Sequence, residues 1–190
     1  MEGYLANPES IAAIIPDYQD NGDVSIIIYR DGSKETVLQK VRSVVNKLAK
    51  HHCADLKLLK KKAADILGKK IFCPIILGSE LVLIPVKVRK PRIEGDNTLA
   101  YINLYSVKNT SVSKNPPFKT LVQLERGLSV ESYWSISTLT SKINHAGLAS
   151  KTLLNQLPWT QKNRATSVEL TDVAKRLMEL CCELVKSRNA

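Results

Sequence analysis

The chain has 190 residues, 44% hydrophobic and 24% charged, which is typical of a globular protein able to fold without disulfides and excludes a disordered one. It carries 28 Lys and Arg against 18 Asp and Glu, and this net charge of +10 favours a polyanionic partner such as nucleic acid or an anionic membrane. The longest apolar runs, 71–77 and 81–86, are far shorter than the roughly 20 residues of a membrane-spanning helix, and the start lacks the features of a signal peptide, so we expect a cytoplasmic protein.

The first quarter of the chain predicts a hairpin followed by a helix. Residues 24–29 are rich in β-branched side chains, and the turn-forming pair Asp31-Gly32 favours a return strand at 34–38. In the alternative interpretation, Ser33 caps a helix. From Leu38 to about Lys50 the apolar residues recur at helical spacing, so we expect a helix there.

A second, lysine-rich helix is predicted to end at Gly68, which suits a C-cap. Its apolar residues fall on one face, so its lysines point mostly outward. A solvated helix face is the ordinary interpretation of an isolated run of this kind. The apolar face consists of Leu56, Leu59, Ala63, Ile66 and Leu67.

The middle of the chain predicts strands. Residues 71–77 and 81–86 form a hairpin around a two-residue Gly78-Ser79 turn, and both strands are apolar throughout, as in strands buried on both faces. After a loop at 91–97, residues 99–107 form a strand with Tyr101 and Tyr105 on one face. Residues 108–117 then form a surface loop, and residues 118–123 form another strand.

The last third predicts two helices, one capped by Ser129 and ending at Gly147, the other an amphipathic helix at 167–187. The predicted fold is α+β, with a mixed, mainly antiparallel sheet and flanking helices. Pro158-Trp159 interrupts the chain, so we expect a domain at 1–157 and a helical extension at 158–190. The leucine stripe of the extension favours packing on the domain or on a second copy of the chain over a membrane surface, and we expect a homodimer or a higher homo-oligomer.

Positive charge is concentrated in two segments. Residues 1–33 hold one Arg against six acids, residues 34–70 hold eleven Lys and Arg against three, and residues 87–92 hold four and no acid. A surface that binds phosphates needs its cations together, so the second segment favours a binding surface over a solvated helix face. The candidate DNA-binding residues are Lys57, Lys60, Lys61, Lys62, Lys69, Lys70, Lys87, Arg89, Lys90 and Arg92.

The motifs of known enzyme mechanisms are absent from the sequence. Lys69 and Lys70 follow Gly68 without the spacing of a phosphate-binding loop, and the contiguous His51-His52-Cys53 cannot converge on a metal ion. We therefore expect no enzyme, no metal and no cofactor, and we assign Tyr101 and Trp134 to the core. The spacing of the cysteines suits neither disulfides nor zinc and favours buried free thiols for Cys53, Cys73, Cys181 and Cys182.

The chain resembles the competence transcription factor (ComK) family over roughly residues 4–145. The N-terminal string carries the clearest part of the resemblance: Tyr4, Asn7-Pro8-Glu9-Ser10-Ile11-Ala12, Ile15-Pro16 and Tyr18. The following matches come in the family's order: the strand at 25–28, Asp31-Gly32, Cys53, Ile66-Leu67-Gly68, Lys70, Pro74-Ile75, Leu83-Ile84-Pro85-Val86 and Tyr101-Ile102.

The resemblance implies an activator of DNA-uptake and recombination genes that binds AT-rich double-stranded DNA in the minor groove and is nucleoid-associated. Arg89 and Arg92 are the better candidates for a narrow minor groove. The family also implies a Clp protease adaptor as a partner, although its C-terminal motif has no obvious counterpart here. Residues 54–61 lack the family's Gly-Ser-Ser and Gly-Arg. This difference leaves a second hypothesis, a ComK-like protein-interaction module or anti-regulator that has lost DNA binding.

Overall fold

The computed structural model describes residues 3–19, 22–92 and 96–155. Within them the chain forms helices and two antiparallel sheets, which confirms the α+β class. A compact unit extends to Lys151. The predicted boundary at 157/158 and the helix at 167–187 lie outside the described residues.

The larger sheet has six strands in the order β3-β2-β1-β6-β5-β4, all antiparallel. Its central strand β1 was not predicted, because its apolar residues run on without the alternation that marks a half-buried strand. Four residues at its start are buried, so both of its faces are covered. The strands are β1 (Ile11–Gln19), β2 (Gly22–Tyr29), β3 (Lys34–Val37), β4 (Ile75–Ile76), β5 (Val82–Lys87) and β6 (Leu99–Asn103).

The turn between β2 and β3 confirms the first predicted hairpin. The Asp31 carboxylate accepts hydrogen bonds from the backbone and the hydroxyl of Ser33, and Gly32 has a φ of 95°, which favours glycine. The alternative that Ser33 caps a helix is wrong, since Ser33 leads into β3.

Helices α2 (Val41–His51) and α3 (Leu56–Leu67) follow, after a short α1 (Gly3–Ala6) near the start. The apolar residues of α2 lie at i, i+3, i+4 and i+7 and join the core cluster together with β1, β2 and β6. Leu38, predicted as the first helical residue, lies before α2 and is 73% exposed. The predicted helix is therefore confirmed with a later start.

The second predicted hairpin is shorter than expected. Strand β4 contains only Ile75 and Ile76, because Pro74 has no N–H to pair and Phe72 adopts a positive φ of 54°. The turn has three residues, 78–80, and is closed by the hydrogen bond that Leu77 N–H donates to the Leu81 carbonyl at 3.0 Å. The prediction of a two-residue turn is therefore wrong, whereas the burial predicted for residues 81–86 is confirmed.

The second sheet corrects two predictions. The strand expected over 99–107 ends at Asn103, because a 3₁₀ turn at Leu104–Ser106 interrupts it and leaves Tyr105 partly exposed. The loop expected at 108–117 is a strand as far as Val112. The expected strand at 118–123 is confirmed with a small shift. This sheet consists of β7 (Val107–Val112), β8 (Thr120–Leu124) and β9 (Ser129–Ser132) in that order.

Helix α4 (Ile136–Asn155) begins later and ends later than predicted. Ser129 does not cap it, because residues 129–132 pair with β8 instead. The capping side chain is Ser135, whose hydroxyl accepts a hydrogen bond from the Thr138 N–H at 3.3 Å. Gly147 lies inside the helix.

One buried side chain, Asn103, joins several of these elements. It is fully buried, and its amide nitrogen donates to the carbonyls of Ile11 at 3.0 Å and Glu80 at 2.9 Å. Its oxygen accepts from the N–H groups of Val82 at 3.4 Å and Tyr105 at 3.3 Å. The start of β1, the 78–80 turn and the 3₁₀ turn after β6 therefore meet at Asn103.

We expect Asn103→Ala to lower the free energy of unfolding by about 2–4 kcal/mol, because it leaves buried carbonyl and N–H groups without partners. Urea denaturation followed by circular dichroism measures this loss. The control Asn46→Ala, at an exposed position on α2, is expected to change stability by less than about 0.5 kcal/mol. Equal effects of the two substitutions would contradict the stabilising role assigned to the Asn103 hydrogen bonds.

Candidate nucleic-acid interface

Helix α3 presents the first basic segment, and its ends match the prediction. The Asp55 carboxylate caps its start by accepting from the Leu58 N–H at 2.7 Å, and Gly68 ends it in the left-handed conformation. Leu56 and Leu59 pack against the core cluster. The lysines of α3 are exposed, as predicted for Lys57, Lys60, Lys61 and Lys62.

The lysines of α3 do not share one flank. A helix advances about 100° per residue, so Lys60 and Lys62 project to nearly opposite sides. Lys60 faces the sheet, where it lines a groove with residues of β5 and β6. Lys57 lies about 60° further round on the same flank as Lys60. The charge run is therefore split, and only part of it belongs to the surface around the groove.

The segment after α3 brings lysines against α4. Lys69 Nζ lies 3.4 Å from both ring nitrogens of His145, and Lys142 Nζ donates to the Phe72 carbonyl at 3.0 Å. Lys70 lines the same groove as Lys60. The helix predicted to end at Gly147 continues to Asn155, so His145 lies within α4 and not at its end.

Aromatic and apolar side chains lie among these cations. The rings of Phe72 and Trp134 meet edge to face with centroids 5.2 Å apart, and Lys142 Nζ is 5.2 Å from the Phe72 centroid. Ile71 is 68% exposed and Phe72 42% exposed. Tyr101 lies in the core as predicted, whereas Trp134 is only half-buried.

The cations act on one another. Burial lowers the pKa of Lys60, and the nearby Arg42 lowers it further. Burial also lowers the pKa values of Lys142 and His145, and the charge of Lys69 adds to the effect in both cases. Among the described residues, no carboxylate lies within 4 Å of Lys60, Lys69 or Lys142. These three ammonium groups therefore have no ion-pair partner among the described residues.

The basic side chains of the second predicted segment, 87–92, lie in different environments. The register of β5 and β6 pairs Lys87 with Leu99, so the Lys87 side chain lies on the sheet face that carries the groove. Lys90 Nζ is 6.0 Å from the Tyr133 ring centroid. The Arg92 guanidinium carbon lies 4.0 Å from the Tyr18 ring centroid, and the Arg92 side chain is exposed.

Arg89 is held inside the protein. Its guanidinium pairs with Asp23, its Nε donates to the Asn97 carbonyl at 2.7 Å, and its guanidinium carbon lies 3.8 Å from the Tyr18 centroid. The side chains of Arg89 and Asp23 are 13% and 8% exposed. These contacts leave Arg89 little freedom to enter a minor groove, and we leave it out of the proposed interface.

We expect Arg89→Ala to destabilise the fold by about 3 kcal/mol, because it leaves the Asp23 carboxylate buried without its partner. Arg92→Ala removes an exposed guanidinium and is expected to cost less than about 1 kcal/mol. Thermal and urea unfolding of the two variants compare these losses. If Arg89→Ala is as stable as Arg92→Ala, the Arg89–Asp23 ion pair does not contribute to the stability of the fold.

We name as the basic surface the side chains around the groove from α2, α3, segment 68–74, β5 and α4. They are the cations Arg42, Lys60, Lys69, Lys70, Lys87 and Lys142, together with the imidazole of His145. Sequence reasoning missed Arg42, Lys142 and His145. Arg42 and Lys142 stand apart in the sequence from the other Lys and Arg residues of α2 and α4, and no spacing in the chain indicates that they face α3. Only the packing of the helices on the sheet brings these residues together.

The described residues offer no arrangement for metal chemistry. No three of their His, Cys, Asp or Glu side chains lie close enough to hold a metal ion. Cys73 is buried as predicted, but the prediction is wrong for Cys53, which is exposed with a φ of 51°. Cys181 and Cys182 lie outside the described residues. No helix in the described part of the chain is long and apolar enough to span a membrane.

No protein-family model, curated protein or solved structure matches this chain. The likeness to the ComK family therefore rests on the residues at 4–145 quoted above.

We expect His145 to titrate at a lower pH than an ordinary exposed histidine, because burial and the charges of Lys69 and Lys142 oppose its protonation. The imidazole is then neutral at pH 7. NMR titration of the His145 ring measures its pKa, and Lys69→Ala is expected to raise it. An unchanged pKa in that variant would show that the two side chains do not interact in solution.

Proposed function

We propose that this chain is a non-enzymatic transcriptional regulator that binds double-stranded DNA through the basic surface. The observation that carries the proposal is that Lys60 and Lys70 line one groove and that cations of three further elements lie near its lining residues. No described carboxylate lies within 4 Å of Lys60, Lys69 or Lys142. Phosphates neutralise such a surface and release counterions, so binding weakens with salt.

Burial around the basic surface supports a binding role over a solvated helix face. Lys142 is half-buried, and burial lowers its pKa, so holding it charged costs free energy in the folded protein. A solvated lysine such as Lys62, on the outer flank of α3, avoids this cost. A bound polyanion would offset it, because the anion favours the charged form of each lysine.

The resemblance to the ComK family extends the proposal to its biological context. We propose an activator of competence genes that prefers AT-rich duplexes, acts as a homodimer or higher oligomer and is cytoplasmic and nucleoid-associated. Among the arginines, Arg92 is the exposed candidate for a narrow minor groove. The self-association predicted for residues 167–187 lies outside the described residues and stays a prediction, as does the Clp protease adaptor.

We expect Lys60→Ala and Lys142→Ala each to weaken binding to AT-rich duplexes and to lower the slope of log affinity against log salt by about one. Lys62→Ala is the matched control, because it removes the same charge from the opposite flank of α3. Fluorescence anisotropy with AT-rich and GC-rich duplexes at several salt concentrations measures both quantities.

Two results would overturn the proposal. One is failure of the unsubstituted protein to bind either duplex at low salt. The other is an equal effect of Lys60→Ala and Lys62→Ala, which would show that charge acts only at long range and that the basic surface is not the interface.

A second candidate function, a protein-interaction module, is favoured by the exposed Ile71 and Phe72. Large apolar side chains exposed side by side mark interaction surfaces more often than solvated ones. A protein partner and DNA differ in salt dependence, since apolar burial is insensitive to salt. Loss of partner binding in Ile71→Ala, with DNA binding absent, would favour this candidate.

A further inference from the structure

The groove within the basic surface has the composition of a small-molecule site. Its volume is about 290 Å³, close to the lower limit of about 300 Å³ for ligand pockets. Its walls are apolar and come from segment 68–74, β5 and β6. These wall residues are Ile71, Phe72, Pro85 and Leu99.

The polar groups of the groove are few and suit one anion. Lys60 and Lys70 line it, and Tyr101 lies beside them with its ring in the core cluster. Among the described residues the Tyr101 hydroxyl has no hydrogen-bond partner, although the side chain is only 8% exposed. The hydroxyl oxygen itself is accessible from the groove, where it can donate a hydrogen bond to an acceptor.

Three larger hollows of the described surface differ from this groove, because each has a carboxylate in its lining. Glu9, Asp31 and Glu125 line one, Glu131 lines the second, and Asp23 and Asp96 line the third. Such linings repel an anion or neutralise their own cations. The charged residues of the groove are lysines, with a thiol, Cys73, as the other ionisable neighbour besides Tyr101.

We propose that the groove binds an amphipathic anion, an aliphatic or aromatic body that carries one carboxylate or phosphate group. The apolar body lies against the four wall residues, and the anion pairs with Lys60 while accepting a hydrogen bond from the Tyr101 hydroxyl. Burial lowers the pKa of Lys60, and a paired anion opposes that effect.

Occupation of the groove has a consequence for DNA binding, and this consequence rests on the proposed function. The ligand neutralises Lys60, which belongs to the basic surface. Ligand and DNA phosphates therefore compete for the same ammonium group. Binding of the anion itself does not depend on the proposed function.

The test uses octanoate as the probe, titrated calorimetrically into the full chain, with octyl phosphate as a second headgroup and octanamide as the uncharged control. We expect saturable binding of octanoate and about tenfold weaker binding of octanamide. Tighter binding of octyl phosphate than of octanoate would assign the groove to phosphate headgroups, and the reverse would assign it to carboxylates.

Three variants locate the site. Lys60→Met and Tyr101→Phe keep most of the side-chain volume and are each expected to weaken octanoate binding about tenfold. Lys62→Met, on the opposite flank of α3, is expected to leave it unchanged. The proposal is overturned if the unsubstituted protein binds neither anion, or if Lys60→Met and Lys62→Met bind octanoate equally.

A DNA titration on the same preparations without octanoate separates the two proposals. DNA binding without octanoate binding removes the groove site and leaves the regulator. Octanoate binding without DNA binding removes the regulator and leaves the groove site. When both bind, octanoate is expected to raise the Kd for DNA, and an unchanged Kd would contradict the competition at Lys60.

Discussion

The hydrogen bonds of Asn103 are the constraint on which the arrangement of both sheets depends. Asn103 ends β6, a central strand, and its amide satisfies backbone groups of β1, of the 78–80 turn and of the 3₁₀ turn that leads to β7. Because the chain leaves the first sheet at this residue, the direction of the second sheet follows from it. The Lys87 carbonyl also links the two sheets, because it accepts hydrogen bonds from Ser132 Oγ at 3.1 Å and from the Tyr133 N–H at 2.9 Å.

The basic surface is a product of this packing. Helix α3 buries its apolar face against the core, which turns Lys60 towards β5 and β6 and turns Lys62 away. Segment 68–74 then carries Lys69 and Phe72 to α4, where they meet His145 and Lys142. Lys142 and His145 are half-buried there, and this burial lowers the pKa values of both side chains.

Arg89 and Arg92 lie close together in the sequence but have different roles in the structure. Arg89 is paired with Asp23 of β2 and donates to the Asn97 carbonyl, whereas Arg92 lies over the Tyr18 ring and stays exposed. A count of charges along the chain treats both arginines alike. Burial separates them, because a guanidinium that satisfies a buried carboxylate has little freedom to contact DNA.

The sequence by itself determined the α+β class, the hairpin at Asp31-Gly32, helices α2 and α3 and the concentration of positive charge, because turn residues, helical periodicity and charge are local properties. It did not determine where β4, β6 and α4 begin and end, since Phe72, Asn103 and Ser129 take conformations that depend on their partners. Only the tertiary structure decided which cations meet, because Arg42, Lys60 and Lys142 lie on three helices and converge only when these pack on one sheet.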